Sequence, residues 1–338
     1  MDPVERSIRR SGMFARRRDL LDRGFGDRDI RRAHRSKRIF RVRQGWYSVP
    51  DAPEIAIRAV RVGGRLTGVS ALETYGLRVP RRPLVLVAVP VNSCRLRRPG
   101  DRGERLARSD GVRILWDDRP RAQHESPWRV SLDDALLSAL THESRDVAVA
   151  CASAVMRYKK WSRARLEGVF ARAPSRVRCW FALVSALDDS HGETFVRLWL
   201  LDAGIPMISQ PFVPGVGNLD GQLGPNTYIE IDGGQHDPAW TGDGESTYEH
   251  DHDRDTVMAS LGKTVLRYTY RQLYSMWPAC LDAIQRTIAD DLELEARRAM
   301  RPKRPRALAA VRAKRRRLAL QYRRTGSSPP DTRRSPSF

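Results

Sequence analysis

The sequence predicts an α/β protein, α+β in overall arrangement, and three observations carry the prediction. Two short basic helical stretches and an alternating hairpin fill residues 14–49, helical periodicity fills residues 132–187, and an acid-bearing hairpin from Gly217 to Asp232 lies between an amphipathic helix and an apolar strand. Together they give an amino-terminal winged helix, a helical connector and a carboxy-terminal mixed sheet flanked by helices.

With 338 residues the chain accommodates two compact domains plus tails. A net charge of +21 and a pI near 10.8 call for a polyanionic partner. DNA is the expected one, and RNA has the same chemistry. The charge is uneven. Residues 193–295 carry 17 acids against 6 Lys/Arg, whereas residues 297–338 carry 15 Lys/Arg against one Asp. Cysteines 94, 151, 179 and 280 make no metal-ligand spacing and read as reduced thiols of a cytoplasmic protein. No apolar run approaches the ~18 residues of a membrane span, and the amino end MDPVERSIRRSG has no hydrophobic secretion core.

In chain order, residues 1–50 form the winged-helix module. Phe14 to Gly24 and Asp27 to Arg35 read as two helices parted by Gly24-Phe25-Gly26, with Asp27 as N-cap. Ile39–Val42 and Trp46–Val49 alternate around Gln44-Gly45 and predict the wing. Arg28, Arg31, Arg32, Arg35, Lys37, Arg38, Arg41 and Arg43 supply phosphate contacts along a duplex; the bland alternative is a solvated basic surface. Residues 51–130 are a small α/β extension with strands at Leu84–Val89 and Val112–Trp116 and an Arg/Pro/Gly-rich loop over 95–108. Residues 131–189 are the helical connector, ending in the turn-like Asp188-Asp189-Ser190-His191-Gly192.

Residues 190–290 are the acid-bearing domain. Glu193 opens a helix with Phe195, Leu198, Trp199 and Leu200 on its apolar face, and Gly262-Lys263 leads into the strand Thr264–Tyr268. One or two helices interrupted at Pro278 close the domain over 271–289. Residues 291–338 are a basic tail, disordered at its Ser/Pro/Arg-rich end, in which Lys314, Arg315, Arg316 and Arg317 give a sequence-independent anchor for nucleic acid.

Strand side chains alternate, so Glu230 and Asp232 share one face while Ile229 and Ile231 point into a core. With Asp220 on the facing strand, the carboxylates crowd one surface, which is unfavourable unless a cation sits among them. Oxygen-only ligands suit a hard ion, Mg²⁺ or Mn²⁺. Asp220 and Glu230 are the expected ligands, His236 a general base or water-orienting group, Glu193 a helper and Arg254 a phosphate contact. His250 and His252 lie two apart in a helical reading, facing different ways, which argues against zinc.

Glu193, Asp220, Glu230-Ile231-Asp232-Gly233, His236 and Arg254-Asp255, in this order, resemble the PD-(D/E)xK nuclease superfamily, and within it the DUF559 branch, which is similar to the very-short-patch mismatch-repair endonucleases. The resemblance implies a restriction-endonuclease-like sheet and metal-dependent hydrolysis of DNA phosphodiesters, with the Ile231 carbonyl as third ligand and no small-molecule cofactor. Two positions depart from it: Asp232 stands where the broad superfamily has Lys, and Asn218 where the branch often has Arg. The front end, with Thr67–Leu72, Tyr75-Gly76-Leu77 and Val130–Leu136, resembles AbiEi-type antitoxins. That resemblance implies the competing function, a winged-helix regulator in which the nuclease fold survives as a scaffold.

Overall fold

The computed structural model describes residues 1–118, 126–232 and 254–300. The chain divides into two compact units at Ile284/Gln285.

The amino-terminal module comprises α1 (Pro3–Arg10), β1 (Phe14–Arg16), α2 (Arg17–Asp22), α3 (Asp27–Arg35), β2 (Phe40–Arg43) and β3 (Trp46–Ser48), with an antiparallel sheet ordered β1-β3-β2. The hairpin forms as expected. The helix expected over 14–24 is instead a strand and then a helix, because Gly12 and Met13 both take positive φ (78° and 70°) and turn the chain so that Phe14 pairs with Ser48. The periodicity of the segment did not show α1, since only Val4 and Ile8 bury an apolar stripe; the Asp2 carboxylate caps this helix, accepting from the Val4 amide at 2.8 Å. Asp27 is the first residue of α3, not its cap. Gly26 holds that position, and Asp29 accepts from its amide at 3.0 Å.

Next come α4 (Glu54–Val62), β4 (Arg65–Leu66), α5 (Gly68–Thr74), β5 (Val85–Val89) and β6 (Val112–Trp116), in a sheet ordered β4-β5-β6. Gly64 lets this sheet close, since a Cβ there would lie 2.1 Å from the Ala88 carbonyl oxygen. Helices α6 (Leu132–His142), α7 (Arg145–Lys159), α8 (Arg163–Arg172) and α9 (Ser175–Arg178) follow, then a 3-10 turn over Cys179–Leu183. Every residue of α7 from Val147 to Val155 is buried, and its Ala, Cys and Ser side chains let neighbouring helices approach closely. One apolar core runs continuously from Val4 to Leu198.

The remaining sheet is built from α10 (His191–Asp202), β7 (Ile208–Ser209), β8 (Phe212–Val213), β9 (Gly217–Asn218), β10 (Gly221–Gln222), β11 (Thr227–Asp232), a helical segment α11 (254–260) and β12 (Thr264–Thr269). Its order is β12-β11-β10-β7, with β11 and β12 parallel and the other pairs antiparallel, while β8 and β9 form a separate hairpin. A small second core of Val213, Leu219, Tyr228 and Met258 lies beneath it. Pro278 does not interrupt a helix: α12 (Tyr270–Ser275) ends before it, and Pro278 sits in the first turn of α13 (Trp277–Met300), where its missing N–H costs nothing. The fold is therefore α/β in composition, with antiparallel and mixed sheets. All four cysteines are free thiols, and no helix among the described residues is long and apolar enough to cross a membrane.

Candidate acid site on the β10–β11 hairpin

The Gly224-Pro225-Asn226 turn closes the hairpin, with the Leu223 amide donating to the Thr227 carbonyl at 2.9 Å. Gly221 stands opposite Ile229, so one further step of the register sets Asp220 opposite Glu230. Over residues 229–232 burial alternates as the pleat requires. Ile229 and Ile231 are buried, Glu230 is half-buried and Asp232 is exposed.

Asp220 is fixed by the strand it faces: its Oδ2 accepts from the Ile231 amide at 2.7 Å. Burial pushes its carboxyl above the ordinary range; the amide bond opposes this, and the Asp232 charge adds to it. Glu193 lies in the first turn of α10 and does not open it; Ser190 is the cap, its Oγ accepting from the Glu193 amide at 3.2 Å. Glu193 Oε2 accepts from the Asp189 amide at 2.8 Å, so it also braces the helix start. Burial first, then the nearby Asp220 charge, push the Glu193 carboxyl up to about 8, so it holds its proton at neutral pH.

Gln210 joins these groups, and nothing in its sequence context marks it. Its amide N donates to the Asp220 carbonyl at 3.1 Å and its Nε2 to Glu193 Oε2 at 3.2 Å. It does so at φ 53°, the left-handed region, immediately before Pro211, where a non-glycine residue is strained. Gln210→Ala keeps the strain and loses the side-chain bond, whereas Gln210→Gly loses the bond and relieves the strain. The glycine variant is therefore expected to be more stable than the alanine variant by about 1 kcal/mol. Thermal melts check this, and identical midpoints would show that no strain is stored there.

Glu230 is compensated by arginine. Arg254 Nη2 donates to its Oε1 at 2.8 Å and Arg267 Nη2 lies 3.1 Å from its Oε2. Arg267 stands opposite Glu230 in the parallel register of β12 and also meets Asp255 at 2.7 Å. Burial pushes the Glu230 carboxyl up while the two guanidiniums pull it down, and the net direction is upward. Arg254 therefore borders the site, as the sequence suggests, but its guanidinium rests on Glu230 and on the Asn218 carbonyl.

The two expected ligands already hold other groups. Among the described residues no three His, Cys, Asp or Glu side chains are placed to share a metal, both Glu230 oxygens face guanidiniums, and one Asp220 oxygen holds the Ile231 amide. His236, His250 and His252 and the tail residues Lys314, Arg315, Arg316 and Arg317 lie outside the described residues.

In the amino-terminal module, Arg28, Arg31, Arg32, Arg35, Lys37, Arg38 and Arg41 are exposed, with Arg32 paired to Asp29 at 2.8 Å. Arg43 is the exception to the expected basic face. It turns inward, its Nη2 donating to the Arg95 carbonyl at 3.1 Å, because Gly63 beside it leaves room for the guanidinium.

No protein-family model matches the chain, and no curated protein matches it at a significant level. Among solved structures it is similar to that of the RV2827C protein from Mycobacterium tuberculosis, with 15% identity, a TM-score of 0.26 and coverage of 60% of this chain and 76% of that one. A likeness so distant carries no argument about function.

Proposed function

We propose that the protein binds DNA through its basic amino-terminal module and hydrolyses a phosphodiester at the acid site. One observation carries this reading: helix α10, the Gln210 turn and the β10–β11 hairpin bring together three carboxyl groups, Glu193 buried and Asp220 and Glu230 half-buried, all with raised proton affinity. Gathering three acids away from water weakens a fold, and such groups cluster where chemistry needs them. In this reading a water attacks the phosphorus and gives a proton to the Asp220 carboxylate, while protonated Glu193 donates one to the departing oxygen. Arg254 and Arg267 exchange Glu230 for the phosphate, taking up the charge that develops there. Mg²⁺ or Mn²⁺ belongs to the proposal through the resemblance to PD-(D/E)xK nucleases: Asp220 and Glu230 would hold the ion, and it would polarise the attacked phosphate.

The arginine contacts on Glu230 favour a second reading. If they are permanent, the site is a scaffold, and the protein is a winged-helix regulator of the AbiEi type. Calorimetric titration of Mn²⁺ into the wild type, Asp220→Asn and Glu230→Gln separates the two, read beside cleavage of supercoiled DNA. Hydrolysis predicts metal binding and cleavage in the wild type and loss of both in each variant, with DNA binding retained. Equal titrations in all three proteins, with uncut DNA and a discrete duplex bound, would establish the regulator.

A further inference from the structure

Several arginines of the amino-terminal half are held by carboxylates. Arg9 binds Glu5 and Asp51, Arg17 binds Asp27, and Arg98 binds Glu104 and Asp110. A cleft of about 1240 Å³ between α1 and the start of α6 gathers four arginines that are not. Arg6, Arg10, Arg23 and Arg129 line it with no carboxylate partner among the described residues, and its one acid, Asp133, is held by Arg165 at 3.0 Å.

Arg6 and Arg10 are four residues apart, on one face of α1, a like-charge spacing that weakens a helix. Arg9, on another face of the same helix, has two acids. The unpaired charge is therefore confined to the side of α1 that lines the cleft. Deeper in, Arg129 is held flat, its guanidinium 3.8 Å from the Tyr75 ring centroid and 4.7 Å from that of Trp128, with Nη1 donating to the Thr74 carbonyl at 2.6 Å. Its Nε is buried without a partner. Half-buried Phe25 adds a second flat apolar surface to the wall.

We propose that this cleft binds a short segment of single-stranded nucleic acid, with Arg6, Arg10 and Arg23 on successive phosphates and a base against the Arg129 platform. A groove that combines unpaired cations with planar groups is the general solution for single strands. The volume exceeds the ~300–1,000 Å³ usual for a small-molecule pocket and suits a stretch of chain. Duplex DNA, with its bases paired inside, cannot use the platform. The site is separate from the basic face of α3 and independent of what the acid site does.

The test uses the full chain and a fluorescent twelve-residue oligothymidylate titrated across a salt series. Arg6→Ala/Arg10→Ala changes exposed side chains and is expected to melt like the wild type. It should weaken oligothymidylate binding about tenfold or more at low salt and make the log–log salt slope shallower by about 1.4, at ~0.7 for each single-strand phosphate that the variant no longer neutralises. Arg129→Lys keeps the charge but loses the plane, and should weaken binding with little change in slope. A twelve-base-pair duplex should lose less affinity than the single strand in both variants. An unaltered slope and affinity in the double variant, or equal losses for duplex and single strand, would overturn the proposal.

Discussion

Glu193→Gln is expected to make the protein more stable than the wild type at pH 8, by on the order of 3–5 kcal/mol, and to leave the two nearly equal at pH 4. Burial and the neighbouring Asp220 raise the Glu193 carboxyl from an ordinary 4.5 to about 8. The native state therefore keeps a proton that the unfolded chain gives up, and stability falls as pH rises through this window, by about 1.4 kcal/mol per pH unit at most. Below 4.5 both states are protonated and there is no penalty; above 8 both are ionised and the penalty is complete. A glutamine is neutral throughout and can still accept from the Asp189 amide. Asp220 and Glu230 titrate in the same direction, so the effect is read in the difference between the two proteins. Urea unfolding of both at pH 4, 6 and 8 makes the measurement, and parallel stability curves would show that Glu193 is ionised at neutrality and is no proton donor.

The second large effect belongs to Asp188. Its side chain is 1% exposed and lies 2.6 Å from Arg197, itself 14% exposed; Thr194 Oγ1 donates to it at 3.0 Å and Ser209 Oγ at 3.3 Å. Removing one member of a buried pair strands the other, at a cost of about 3–5 kcal/mol, so Asp188→Ala is expected to lose that much stability. Replacing both partners by apolar groups, as Asp188→Leu/Arg197→Met, should recover a large part of it. Denaturant unfolding of the single and double variants checks this. A single variant within about 1 kcal/mol of the wild type would mean that water reaches Arg197 and the pair is not a fixed joint between α10 and β7.

The turn at 188–192 has two sides to it. Its Asp, Ser and Gly composition reads as a break between domains, and Asp188, Asp189 and Ser190 do precede α10, while His191 and Gly192 are already its first turn. Yet Asp188 anchors that helix, and the apolar core that begins at Val4 continues through Phe195 and Leu198 beyond it. Composition reports the local backbone, whereas Asp188 ties the turn to α10 through Arg197 and Thr194 and to β7 through Ser209.

The sequence by itself determined what local periodicity encodes: β5, β6, α6, α7 and α8, the wing, the β10–β11 hairpin, and the parity that sets Glu230 and Asp232 apart from Ile229 and Ile231. Each is fixed by side chains two to four positions apart, so the pattern and the structure share one cause. The tertiary structure decided the rest. Strand β1 exists because two positive-φ residues aim Phe14 at β3, and α1 holds through a cap and two buried side chains. The parallel pairing of β11 with β12 has no turn to announce it, and it alone brings Arg267 to Glu230. Gln210 reaches Glu193 only through a strained backbone, and Arg254 reaches Glu230 from a distant helix. The sequence shows that acids gather on this hairpin. What neutralises them is a question of distances through space, and in this fold the answer at Glu230 is two guanidiniums.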